Sequence, residues 1–308
     1  MATPIHAEPV ELTTPGPEGD LRGTYLAAGA PIVLIVPGSG PTDRDGNNPF
    51  GIRASTYRLI AEGLAERGIS SVRVDKRGMF GSAAAVPDAN SVTIADYAAD
   101  VGAWVNAIRV RSGSACVWLL GHSEGVLVAL AAAQKPDGIC GLLLVSAAGR
   151  PMGAVLRGQL QASGLPAPAV EPAFHAIEAL EAGEPVDIDG LDPSIAPLFA
   201  PQIQGFLRSV FAVDPALLIA GLDLPVLILH GRRDIQVLEE DAMRLKRAND
   251  AAELTILPEA NHVLKSVVSD DRAANLAAYS DPGLPLATGV IDALAGFVLR
   301  EHEVLPRR

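Results

Sequence analysis

Val117-Trp118-Leu119-Leu120-Gly121-His122-Ser123-Glu124-Gly125-Val126-Leu127-Val128-Ala129-Leu130 is the stretch whose reading decides the fold. An apolar run long enough for a buried strand leads straight into a Gly-x-Ser-x-Gly pentapeptide, and a second apolar run, 126–134, follows as a helix. A strand-to-helix turn this abrupt forces the serine into strained backbone angles. Glycines two residues to either side remove the Cβ atoms that would clash. The turn lifts the Ser123 hydroxyl above the sheet and sets it at a helix N-terminus, where the dipole favours developing negative charge. A serine that merely capped the helix would not call for both glycines.

Working outward, the runs Ile32–Val36, Ile139–Val145, Val226–Gly231 and Glu253–Leu257 read as further buried parallel strands, and 69–75 as a looser one. Helical spacing of apolar residues marks 54–67, 93–109 and 285–301. Strand and helix in alternation mean right-handed crossovers and a mostly parallel sheet covered on both faces. Residues 8–13 and 21–28 flank the turn-rich 15–20 and read as an antiparallel hairpin, which completes eight strands of an α/β fold.

Residues 151–213 break the rhythm, with eight prolines, short helical pieces at 170–182 and 203–211, and four of the seven phenylalanines. They are expected to form a helical cap inserted between two parts of one core, 1–150 and 214–308. Composition narrows the function. With 24 basic and 36 acidic residues, the net charge of −12 would repel a nucleic-acid backbone. Runs such as 31–37 and 141–148 fall short of the ~20 residues a membrane span needs. Acids and prolines fill residues 1–20 where a signal peptide needs a basic start and an apolar stretch. A cytoplasmic protein with neither nucleic-acid nor membrane partner is expected; monomer and homodimer stay open. Cys116 and Cys140 begin neighbouring strands, and two buried thiols are expected rather than a disulfide, because parallel strands rarely suit one.

A serine hydroxyl is a poor nucleophile until a base takes its proton, so a histidine and a carboxylate must be found. Of the six histidines, His6 and His302 lie near the chain ends and His175 in the insertion. His122 adjoins the serine in a turn that should make its ring diverge, and His230 ends a buried strand as a core residue. His262, in the loop after Glu253–Leu257, is the best base by position. Asp234, just past Val226–Gly231, is the acid, with turn capping as its ordinary alternative and Asp241 and Glu259 as substitutes. Asp43-Arg44-Asp45-Gly46-Asn47 looks like a calcium loop but lacks the glycine at its sixth position and the acid at its twelfth, so no metal is expected. Pinning of this loop by ion pairs of Arg44 and Asp45 is expected instead.

The order Ser123, Asp234, His262 resembles that of α/β-hydrolases, over nearly the whole chain. Residues 37–47, the Gly-His-Ser-Glu-Gly elbow and Ala260-Asn261-His262-Val263-Leu264-Lys265 look like a bacterial group of esterase-type hydrolases, related to the serine aminopeptidase and lysophospholipase-like enzymes. Asp75-Lys76-Arg77-Gly78-Met79-Phe80-Gly81-Ser82 is similar to the family's Asp-x-Arg-Gly-x-Gly-x-Ser loop, with one extra residue between the glycines. That likeness implies a structural role, knitting loops around the site. Oxyanion donors are expected at the backbone N–H of Glu124 and in the turn Pro37-Gly38-Ser39-Gly40, at Ser39 first and Gly40 next. Proline stands there in the place of the family's usual histidine.

The expected activity is cofactor-independent hydrolysis of small carboxylic esters through an acyl-enzyme, with Phe174, Phe199, Phe206 and Phe211 lining an acyl pocket. Competing readings keep the three residues and change the bond to an amide, a peptide or a thioester. In the peptidase case Glu171, Glu178 and Glu181 would hold the substrate amine. A more distant reading is a ligand receptor with slow turnover.

Overall fold

A computed structural model describes residues 8–304; His6 and the tail 305–308, expected to fray, lie outside the described residues. The strands are β1 (Val10–Pro15), β2 (Asp20–Leu26), β3 (Ile32–Val36), β4 (Ser70–Val74), β5 (Val117–His122), β6 (Ile139–Val145), β7 (Val226–Gly231) and β8 (Glu253–Leu257). They form one eight-stranded sheet in the order β1-β2-β4-β3-β5-β6-β7-β8. The hairpin β1–β2 and the β2–β4 pair are antiparallel, and every later pairing is parallel. β3, β5, β6 and β7 are buried along their full length, which is why their sequences are near-continuous apolar runs.

Alternating side chains feed two cores. Leu34, Val36, Leu119, Leu142, Leu144 and Ile228 face α2 (Ile94–Ser112) and α3 (Glu124–Ala132). Val33, Ile35, Trp118, Leu120, Leu143 and Leu229 face α1 (Thr56–Glu66) and the last helix, α10 (Val290–Val304). α2 begins at a capping box in which Thr93 and Asp96 satisfy each other's backbone N–H groups, and it ends at Gly113 with φ of 74°. α10 starts five residues later than its apolar spacing predicts, because Leu286 pairs as a short bridge with Lys265 before the helix can begin.

Between β6 and β7 run α4 (Met152–Gln161), α5 (Ala167–Glu181), α6 (Gln204–Phe211) and α7 (Pro215–Ala220). Ile177, Leu180, Phe199, Val210 and Ile219 of this segment join the core beneath α2 and α3. The stretch Pro201–Ala220 is apolar enough for a membrane span, with a mean hydropathy of 1.4. It breaks at 212–214, where the Asp214 side chain caps the Ala216 N–H, leaving α6 and α7 with eight and six residues. After β7 come α8 (Glu239–Ala248) and, beyond β8, α9 (Arg272–Ala277).

One expectation is corrected. Cys116 and Cys140 form a disulfide with a Cα–Cα separation of 5.1 Å. The parallel register slips between Val117 and Trp118, which pair with Ile139 and Gly141, so Cys140 is the extra residue. That irregularity re-aims its side chain toward Cys116, as regular parallel pairing would not.

Candidate active site

Ser123 sits between β5 and α3 with φ of 54° and ψ of −122°, a conformation that favours glycine. The flanking glycines are required by contact. A Cβ on Gly121 would lie 2.5 Å from the Gly125 carbonyl oxygen, and one on Gly125 would lie 2.4 Å from that of Val36. The turn is thus wedged against the end of β3, and Ser123 N–H donates to the Val145 carbonyl of β6.

His262 stands on the loop after β8 and Asp234 on the loop after β7, both at the carboxyl ends of the strands. His262 Nε2 lies 3.1 Å from Ser123 Oγ, and its Nδ1 lies 2.7 Å from Asp234 Oδ2. The other carboxylate oxygen of Asp234 accepts from the N–H groups of Gln236 and Val237. Burial opposes the charge on Asp234, but His262 and these donors outweigh it and hold the carboxyl below its ordinary value. The two loops are joined through α9: Asn261 Nδ2 donates to Asn275 Oδ1, and Asn275 Nδ2 to the Arg233 carbonyl. Neither substitute acid meets the imidazole. Asp241 is taken up by Arg150 at 2.7 Å and Glu259 by the Ser266 hydroxyl. His230 is a core residue, 1% exposed, with no partner for either ring nitrogen among the described residues.

Gly38, Ser39, Ser123 and His262 share a cleft of about 80 Å³, whose other walls include Thr42, Asn48, Ile52, Thr56 and Gln236. Gly40 is not among its lining residues. Among the described residues, the N–H groups of Ser39 and Glu124 have no intramolecular acceptor, whereas Gly38 N–H donates to Tyr57 Oη. None of the four phenylalanines reaches the cleft. Phe199 and Phe211 are buried in the core, and Phe174 and Phe206 pack against it, Phe206 edge-on to Tyr97. Apolar composition foretold their burial and not the surface they bury against. Glu171, Glu178 and Glu181 are exposed on α5, and Glu181 pairs with Arg157 at 2.7 Å.

Ion pairs pin the surrounding loops as expected: Arg44 binds Asp75 at 2.6 Å, Arg73 meets Asp45, and Arg77 binds Asp100 at 2.6 Å. The sequence reading missed the parts played by Tyr57 and His122, which also line the cleft, and by Lys76. The ring of His122 does turn away from the hydroxyl, but into a directional chain. Its Nε2 lies 2.8 Å from the His262 carbonyl, which can only accept, so Nε2 carries the proton. Its Nδ1, 2.9 Å from Tyr57 Oη, therefore accepts from the phenol, which in turn accepts from Gly38 N–H. Burial, with His262 adding to it, lowers the His122 pKa to about 4, so the ring is neutral near pH 7. Lys76 Nζ donates to the Gly38 carbonyl at 2.7 Å. The one available signal was a lysine inside the 75–82 loop, a residue that is costly to bury without a partner.

A sheet of this order, with a strained serine after β5 and an acid and a histidine after β7 and β8, has the arrangement of the α/β-hydrolase fold. Residues 50–177 match the family described as serine aminopeptidase, S33. The esterase EstD of Thermotoga maritima is 27% identical over 275 residues, covering 85% of this chain and 61% of that protein, so the chain spans about three-fifths of that relative's length. An esterase structure from Pyrococcus furiosus superposes with a TM-score of 0.62 at 16% identity, covering 96% and 91% of the two chains. An α/β-hydrolase, GrgF, from a Penicillium species gives 0.61 at 17%, covering 96% and 99%. The chain has the α/β-hydrolase fold, and in sequence it is similar to the serine aminopeptidase family over residues 50–177 and to an esterase over most of its own length.

Proposed function

We propose that the protein is a serine esterase acting on small carboxylic esters. Ser123 Oγ attacks the ester carbonyl while His262 Nε2 takes its proton, and the Asp234 carboxylate holds the imidazole in that tautomer and stabilises the imidazolium. The N–H groups of Ser39 and Glu124 receive the oxyanion. His262 returns the proton to the leaving alcohol, and water then resolves the acyl-enzyme with His262 again as base. Residues 151–213 act as the cap: Gln159 of α4 donates to the carbonyl of Gln236, which lines the cleft, and Val155 packs on Val237 beside the acid loop.

The observation that carries this reading is the hydrogen-bonded line from Ser123 through His262 to Asp234, opening on a cleft whose lining, among the described residues, holds no carboxylate. A peptidase acting on free amino termini needs an acid there to pair with the substrate amine. The insertion's glutamates point to solvent instead, and this favours the ester over the aminoacyl substrate. Assay on p-nitrophenyl esters graded by acyl length, beside aminoacyl anilides, tests it. Short-chain esters should be turned over and anilides should not, and Ser123→Ala should lose both turnover and labelling by a fluorophosphonate. Anilide cleavage with inert esters would overturn the substrate, and labelling that survives in Ser123→Ala would overturn the nucleophile.

A further inference from the structure

We infer that Lys76 is a positioning residue for the oxyanion site, polarising the Gly38–Ser39 peptide so that Ser39 N–H becomes a stronger donor. This rests on the esterase reading and extends it. The carbonyl of Gly38 and the N–H of Ser39 belong to one peptide unit, and a trans peptide points them in opposite directions. Lys76 Nζ donates to that carbonyl at 2.7 Å and is not among the residues that line the cleft, as Gly38 and Ser39 are. An ammonium on the oxygen draws density through the conjugated unit and leaves the N–H more positive, as hydrogen bonds in a chain strengthen one another in a low dielectric. The same turn is fixed from its other end by Gly38 N–H on Tyr57, so the polarised unit is also held still.

The surroundings of Lys76 fit a charge held there for this purpose. Its side chain is 5% exposed, and the only carboxylate paired with it among the described residues, Glu124, is 6% exposed. The Glu124 Oε1 oxygen stands 3.6 Å from Nζ and has no hydrogen-bond partner among the described residues. The close bond of the ammonium therefore goes to the peptide, and the carboxylate serves as a counter-charge at longer range. The face of Tyr97 lies 5.4 Å from Nζ on another side. Burial pulls the lysine pKa below its ordinary value, and the Glu124 carboxylate opposes that. Glu124 also carries the second oxyanion N–H on its own backbone. The pair thus ties the elbow and the oxyanion turn to a single buried charge.

Lys76→Met, Glu124→Gln and the double variant K76M/E124Q separate this role from that of a structural ion pair. Melting temperature, kcat and KM are measured on the same ester, with inhibition by a trifluoromethyl ketone, whose adduct with serine carries an oxyanion. Lys76→Met should lower kcat about 10-fold, a fraction of the 100- to 1,000-fold seen when a whole donor is removed. KM should stay within about twofold, and the ketone should weaken in step with kcat. The double variant removes the orphaned carboxylate, so its melting temperature should recover while kcat stays low. Recovery of kcat together with stability in the double variant would overturn the inference, as would a Lys76→Met enzyme with unchanged kcat and ketone affinity. Either result leaves the esterase reading intact, since that stands or falls with Ser123.

Discussion

At the scale of single residues, the three groups Ser123, His262 and Asp234 are far apart in the chain and within hydrogen-bond reach in space. His262→Ala should reduce kcat by about four orders of magnitude with the fold retained by circular dichroism. Asp234→Asn should come close to it, because an amide in place of the carboxylate favours the wrong imidazole tautomer. Near-normal turnover in either variant would remove that residue from the mechanism. His122 yields a prediction about pH. Its pKa is about 4 in the folded chain against an ordinary 6.5, so between those values the unfolded chain takes up a proton that the folded one refuses. Stability must fall as pH drops from 6.5 to 4, by roughly 3 kcal/mol. Urea titrations of the native protein and of His122→Asn, compared for slope against pH, check this, and equal slopes would contradict it. The convergence of Ser123, His262 and Asp234 was legible because each sits just past the end of a strand that its own neighbours announce. Tyr57, His122 and Lys76 were not, since their contacts depend on Gly38 and the His262 carbonyl, partners brought near only by the assembled sheet.

At the scale of elements, the elbow and α2 give opposite expectations for the same substitution. Gly125→Ala places a methyl group 2.4 Å from one backbone oxygen and 2.6 Å from a second, so α3 must move off β3. A loss of about 2 kcal/mol or more, with turnover impaired, is expected in chemical denaturation. Gly102→Ala, inside α2 with no heavy atom within 4 Å of the added carbon, should instead stabilise by roughly 0.5–1 kcal/mol. A harmless Gly125→Ala would mean the elbow has slack that the structure does not show. The central strands β3, β5, β6 and β7 were readable almost to the residue, because burial on both faces writes itself as an unbroken apolar run, whereas β1 lies two residues later than expected and its exposed residues gave no such run. Helix limits were less so. α10 waits for a bridge at Leu286 that no periodicity reveals, and α6 and α7 divide a stretch that is apolar throughout.

At the scale of the whole molecule, apolar residues of 151–213 enter the same core as α2 and α3, so that segment and the sheet should unfold together as one transition. The disulfide adds to that unit. Its cysteines are 24 residues apart, and opening such a loop costs on the order of 3 kcal/mol. Cys140→Ser should therefore melt lower than the native protein, and a thiol reductant should lower the native melt to match. No response to reductant would show that the thiols are not paired. The cysteine spacing alone did not disclose the bond, because it depends on a one-residue slip in register.

The disulfide and Ser123 occupy opposite ends of β5, roughly 20 Å apart for six residues of strand. A change in the redox poise of the surroundings would accordingly shorten how long each molecule survives heat without altering how fast a surviving molecule works. Endurance of heat and the proposed turnover are set at separate ends of one strand, and either could drift under selection while the other stayed put.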